Sequence, residues 1–337
     1  MRLVVFHYHL LPGGVTGVIA ESVRAALPRL EEVESVTLVC GSPENVDAVR
    51  SQILSVEGLK PDAVGVEVIG ELGYVSQTRS PRPDLKDRIV SLLTSRFSGT
   101  DTVWWIHNYH LGKNPYFTDA VLEIAERDQA QRIVFHVHDF PECARYENLR
   151  FLRAVISREV YPQSENVRYV LINARDKRLL EQAGIAPELT FLLQNPVRVR
   201  RGDAGGSSEE RRTEVRETLS TAYRTEFPLF RPAQKLMLYP VRTIRRKNVM
   251  EAAILAKLVS EEAGLVVTLP GVSEQERKYS AMVEEAFREG LVPGLWGIGT
   301  RIDELGISFD ELTDAADAIV SSSVQEGDAA PSRLSSA

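Results

Sequence analysis

Short apolar runs, rich in valine, isoleucine and aromatic residues, alternate along this chain with amphipathic stretches. That rhythm constrains the fold more than any single motif. A continuous apolar run is a strand buried on both faces, and a helix-period stretch between two such runs has to cross over one face of a parallel sheet. In the first half the strand candidates are Leu3–His7, Ser35–Cys40, Val64–Ile69, Thr102–His107, Arg132–His138, Val167–Ile172 and Leu189–Leu193. Helices are expected over Val15–Leu30, Asp84–Ser95, Pro115–Asp128, Leu149–Glu159 and Ala174–Ala183.

The alternation stops after Asn195-Pro196-Val197 and restarts at Lys235. Residues 198–232 are charged and loop-like, and read as a linker with a charged helical insertion over Ser208–Arg224. The second half offers strands at Lys235–Val241, Leu265–Leu269, Leu295–Ile298 and Ala318–Ser321, with helices at Val249–Ala263, Ser273–Glu289 and Phe309–Ala315. The expected class is α/β, with two Rossmann-like domains facing a cleft, over residues 1–197 and 233–327. Residues 328–337 read as a disordered small-residue tail. The second domain is expected to be incomplete, truncated at its C-terminus, because the pattern breaks off inside what looks like a ligand loop.

Composition narrows the function classes. Net charge is −7, which argues against a general nucleic-acid or anionic-membrane binder. Two cysteines, Cys40 and Cys143, cannot form a disulfide framework and point to a reducing compartment, so a cytoplasmic location is expected. Leu3–Ala20 lack charged side chains but contain histidines and a Pro12-Gly13-Gly14 break. A transmembrane span needs ~20 continuously apolar residues, so no such segment is expected there. The chain leaves room for a homodimer.

Three features could carry chemistry. Gly13-Gly14 follow the first strand and open a helix, where backbone amides can meet a phosphate; a plain tight turn is the alternative. The run is not G-x-G-x-x-G and no acidic residue ends the second strand, which disfavours a dinucleotide dehydrogenase. Arg242-Thr243-Ile244-Arg245-Arg246-Lys247-Asn248 puts four cations at a strand's carboxyl end, an anion site or a solvated basic turn. All six histidines fall in close pairs at strand ends: His7/His9, His107/His110 and His136/His138. They are read as lining a polar pocket, with metal ligation as the competing reading. The loop His107–Pro115, carrying Asn108, His110, Lys113 and Asn114, and the segment Ser321–Gly327, carrying Glu326, add groups that bond hydroxyls.

Together Gly13-Gly14, His138-Asp139 within H-x-H-D-F, Asn195-Pro196-Val197, Arg242 with Lys247, and Ser-Val-Gln-Glu-Gly resemble a family-4-type glycosyltransferase of the GT-B fold, over residues 1 to about 327. The resemblance implies a retaining hexosyl transfer from a nucleotide-diphosphate sugar to a hydroxyl acceptor, without cofactor or metal. It implies that Arg242, Lys247 and the amides of Gly13 and Gly14 hold the diphosphate, and that His138 meets the donor sugar. Glu326 matches the first Glu of the E-x7-E motif. Asn108, His110, Lys113, Asn114 and Asp139 are implied for the acceptor or sugar pocket. The chain departs from the pattern after Glu326-Gly327, where Asp328-Ala329 replace Phe-Gly and Leu334 replaces the second Glu. Two rivals stand beside this reading: a metal-dependent hydrolase using the paired histidines, and a nucleotide-sugar binder inactive through truncation.

Overall fold

A computed structural model describes residues 1–30, 32–56, 59–75, 82–142, 145–196, 209–259, 262–271 and 274–324. The chain divides into two compact units, the first within Met1–Val199 and the second within Arg200–Glu326.

The first unit holds strands β1 (Arg2–Phe6), β2 (Ser35–Cys40), β3 (Val64–Val68), β4 (Thr102–His107), β5 (Arg132–Val137), β6 (Val167–Leu171) and β7 (Thr190–Leu192). They form one parallel sheet in the order β3-β2-β1-β4-β5-β6-β7. The order reverses between β1 and β4, the switch point at which doubly wound sheets bind ligands beyond the strands' carboxyl ends. The helices are α1 (Gly14–Ala26), α2 (Val46–Leu54), α3 (Leu85–Phe97), α4 (Pro115–Arg127), α5 (Tyr146–Val155) and α6 (Ala174–Gln182). Strand alternation builds two cores. Val4 and Phe6 of β1 face one cluster with Leu93, Phe97, Phe117 and Val121 from α3 and α4. Leu3 and Val5 face the other, with Ile19 and Val23 of α1 and Val49 and Ile53 of α2. The expected continuous apolar strands arise because both faces are covered.

The second unit starts with α7 (Glu209–Tyr223), then β8 (Lys235–Arg242), α8 (Val249–Val259), β9 (Ala263–Leu269), α9 (Glu274–Arg288), β10 (Gly294–Trp296), α10 (Phe309–Ala315) and β11 (Ala318–Ile319). Its sheet is parallel, in the order β10-β9-β8-β11, with the switch point between β8 and β11. Here α7 corrects the linker reading. Val215, Leu219 and Tyr223 are buried in this unit's core. Arg211 bonds Glu311 on α10, and Arg216 bonds both the Ala315 carbonyl and Asp317 at 2.7 and 2.8 Å. Asp317 in turn accepts the backbone amide of Leu236 on β8, so the charges that look like linker are docking contacts.

Other elements differ too: α5 runs over Tyr146–Val155 in place of Leu149–Glu159, and α1 stops at Ala26 in place of Leu30. Helix α2 was not expected, and α8 ends at Val259 because Ala263 already pairs with Lys235 as the first residue of β9. The expected tail and Glu326 lie outside the described residues.

Gly294 is where this second sheet is least tolerant. Its φ is +148°, and a Cβ there would meet the Leu265 carbonyl oxygen of the neighbouring strand at 1.9 Å. Gly294→Ala is expected to cost roughly 3 kcal/mol or more through backbone strain and clash. Urea unfolding of the second unit's transition reads it, and an unchanged midpoint would contradict the packing described.

Candidate functional site

In the first unit the histidines gather at the carboxyl ends of β1, β4 and β5. His107 continues the face of Val103 and Trp105, and the β4–β5 register sets it directly beside His136. His138, two residues on, keeps the same face because strand side chains alternate. The result regroups the sequence pairs: His107, His136 and His138 form one buried cluster, with ligand nitrogens within 4.8 Å of one another. The His107 Nδ1 and His138 Nε2 atoms share a hydrogen bond at 2.9 Å, and the His136 ring stacks on Trp105 at 5.6 Å. His7 borders the group, its Nδ1 3.4 Å from the His107 carbonyl oxygen. His9 instead meets the Tyr74 hydroxyl at 3.0 Å. Burial disfavours the imidazolium: it holds His7 and His136 down to about 3 and His107 and His138 well below the ordinary histidine value. At neutral pH the cluster is uncharged.

Asn108 positions His138. Its backbone sits in the left-handed region (φ 54°), and its Oδ1 accepts the His138 amide at 2.9 Å. His110 is a separate group. Its Nε2 donates to the Asp139 carbonyl at 2.9 Å, and burial lowers its pKa to about 4. Asp139 is ion-paired with Arg145 at 2.6 Å, so its carboxylate already has a cation. Asn114 has a structural role in the loop. It caps α4 by accepting the Phe117 amide at 3.1 Å, and its Nδ2 donates to the carbonyls of Glu71 and Gly73. Both donor hydrogens are spent, leaving none for a sugar hydroxyl. Lys113 lies over the Tyr74 ring at 5.0 Å from its centroid. Gly112 pins this loop on α5, for a Cβ there would sit 2.3 Å from the Asn148 carbonyl oxygen.

Gly13 and Gly14 start α1 on the same face of the sheet as the histidines. Both are exposed, Gly13 is extended, and no side chain caps the helix. A Cβ on Gly14 would meet nothing within 4 Å, so packing inside the chain does not require glycine there. The uncapped amides and the helix dipole favour an anion.

In the second unit Arg242 ends β8 beside the switch point. It is half-buried and has no hydrogen bond or ion pair with the described residues. The basic run continues as a tight turn, Arg245–Lys247, closed by Asn248 in the left-handed region (φ 55°). Tyr239 is the residue the sequence reading missed. It is buried under the turn, donates to the Lys247 carbonyl at 2.6 Å and shares a hydrogen bond with Ser323. Ser322 Oγ bonds the Asn248 carbonyl at 2.8 Å, and the Val324 amide bonds that of Arg246 at 3.0 Å. The segment after β11 is therefore stitched to the basic turn, just before the residues outside the description. A cavity of about 470 Å³ opens here, lined by Arg245, Asn248, Met250, Glu251, Tyr279, Met282 and Val324.

Solved structures share this architecture. The chain matches HepE of Anabaena, solved with UDP and glucose, at 16% identity, covering 96% of this chain and 74% of that one with a TM-score of 0.59. A glycosyltransferase of Rickettsia africae matches at 14% identity over 96% and 73% of the two chains, again with a TM-score of 0.59. The fold is that of the GT-B glycosyltransferases. In sequence, the chain is 33% identical over 326 residues to mannosylglucosyl-3-phosphoglycerate synthase of Petrotoga mobilis, a match covering 97% of this chain and 61% of that protein. The chain thus spans about three-fifths of that relative's length. No family model matches it. Among the described residues no helix is long and apolar enough to cross a membrane.

Proposed function

We propose that this GT-B chain is a retaining glycosyltransferase that takes a sugar from a nucleotide diphosphate to a hydroxyl acceptor. The observation that carries the proposal is Arg242 at the switch point of the second sheet, half-buried and unpaired among the described residues, next to a rigid turn bearing Lys247. The 33% identity to a mannosylglucosyl-3-phosphoglycerate synthase supports the transferase reading over the hydrolase alternative. That relative's name makes a phosphorylated hydroxy-acid glycoside the first acceptor class to test.

In the reaction the bond between the anomeric carbon and the diphosphate oxygen breaks, and the diphosphate leaves with the electron pair. An acceptor hydroxyl forms the new bond from the leaving-group side, and its proton passes to a diphosphate oxygen. Negative charge grows on the leaving group, so cations fixed before the step favour the transition state over the ground state. Arg242 and Lys247 supply them, which makes a metal unnecessary for this step. In the first unit the α1 amides at Gly13 and Gly14 favour an anion, and neutral His138, held by Asn108 and His107, offers a nitrogen to a sugar hydroxyl. A cytoplasmic location suits a nucleotide-sugar donor.

The test is incubation with UDP-, GDP- and ADP-sugars plus a glycosyl phosphoglycerate acceptor in chelator, following the product's anomeric coupling by NMR. Transfer with retained configuration is the expected result. A folded chain that binds none of the three nucleotides, or a product of inverted configuration, would overturn the reading.

A further inference from the structure

The histidine cluster holds more ligating capacity than sugar contact uses. His107 Nε2 and both ring nitrogens of His136 are buried without a hydrogen-bond partner. A neutral imidazole carries one N–H and one lone pair, and leaving both unmet in the interior costs free energy. His136 is fully buried, as is His107. Something else is needed to satisfy this donor set.

We propose that His107, His136 and His138 form a binding site for one borderline transition-metal ion, with zinc as the reference ion. The three ligand nitrogens already lie within 4.8 Å of one another. The site is built into the sheet: register pairs His107 with His136, and strand alternation adds His138. The ligand set is imidazole alone, without a carboxylate, which selects zinc, copper, nickel or cobalt over magnesium or calcium. His107, His136 and His138 are all buried, which would shield a bound ion from competing water.

Chelation requires a defined local change. Nitrogen–zinc bonds of about 2.0–2.1 Å in a tetrahedral site place ligating nitrogens closer together than 4.8 Å. The rings are tilted by 38° between His107 and His136 and by 23° between His136 and His138, so side-chain rotations must turn their lone pairs inward. The 2.9 Å bond between His107 and His138 is exchanged for metal coordination. Three protein ligands leave the fourth position to water or an anion. Since the ion takes His138, it inhibits transfer, a consequence that rests on the function proposed above, whereas the binding itself does not.

Chelator-stripped full-length protein titrated with CoCl2 reads the site directly. One equivalent is expected to give the visible absorption of four-coordinate cobalt, displaced by one equivalent of ZnCl2. His136→Phe keeps an aromatic ring against Trp105 and is expected to weaken binding roughly 100-fold or more, with an unchanged far-UV circular dichroism spectrum. X-ray absorption at the zinc edge of the wild type, independent of any variant's folding, should count three nitrogen ligands and no sulfur. Substoichiometric binding, affinity equal in His136→Phe, or sulfur in the zinc shell would each refute the site.

Discussion

Replacing Arg242 with alanine is expected to slow sugar transfer by about 10²–10³-fold, the loss that follows when one fixed group is withdrawn from a developing negative charge. The guanidinium sits at the carboxyl end of the central strand of its sheet, where the β8–β9 ladder shifts register between Tyr239 and Arg242. No described residue neutralises it, so its removal leaves no carboxylate stranded and the fold should keep its melting temperature. Lys247→Ala is expected to act in the same direction. The turn geometry should survive, because it is the Lys247 carbonyl and not its side chain that holds Tyr239 and Ser322. Arg245 is the contrast: it is exposed and stacks on Tyr279 at 5.4 Å, so Arg245→Ala should cost less than Arg242→Ala. Calorimetric titration with UDP, GDP and ADP beside steady-state rates separates binding from chemistry. Should Arg242→Ala transfer sugar within a few-fold of wild type, the diphosphate assignment at the end of β8 is wrong.

The doubly wound rhythm was legible because each central strand is apolar on both faces. The cation cluster and the glycine turn were legible because they follow strands directly. Elements whose identity depends on partners were not. Helix α2 carries its buried face on Val46, Val49 and Ile53, but VDAVRSQIL is short, and Asn45 starts it from a left-handed backbone. The end of α8 was misplaced because Ala263 is a good helix former and its place in β9 is set by pairing with Lys235, a partner that the local pattern does not show. In the histidine pairs, position along the chain is visible but strand neighbours are not. Only the sheet order reveals that His107 belongs with His136 and His138 and not with His110. Asn114 had a readable signal that ligand chemistry obscured: Asn followed by Pro115 at the first helical position marks a helix cap. Tyr239 gave no signal at all, for a tyrosine inside a buried strand reads as core until the carbonyl that it holds is known.

Acid should unfold the first unit far more steeply than a typical α/β domain. Five histidines, His7, His107, His110, His136 and His138, are held below their ordinary value chiefly by burial, three of them to about 3, about 4 and about 3 for His7, His110 and His136. A group whose folded pKa lies below its unfolded value binds more protons when unfolded, so its contribution to stability is complete above the unfolded pKa near 6.5 and is lost as pH falls from there toward the folded pKa. At pH 5 the unfolded chain therefore takes up about five protons that the folded chain refuses, and each steepens the fall in stability by about 1.4 kcal/mol per pH unit. The window from pH 6.5 to 5 lies above the range where ordinary carboxylates titrate, which isolates the histidine term. In chelator, the melting temperature should fall continuously across it, and calorimetry in buffers of different ionisation enthalpy should count the protons. His136→Phe removes one of them and should flatten the slope, even where it lowers stability at pH 7.5. A melting temperature level from pH 7 to 5 would mean that the rings are hydrated or charged in the folded protein, and the neutral cluster would then no longer account for a site able either to contact a sugar or to accept a metal ion.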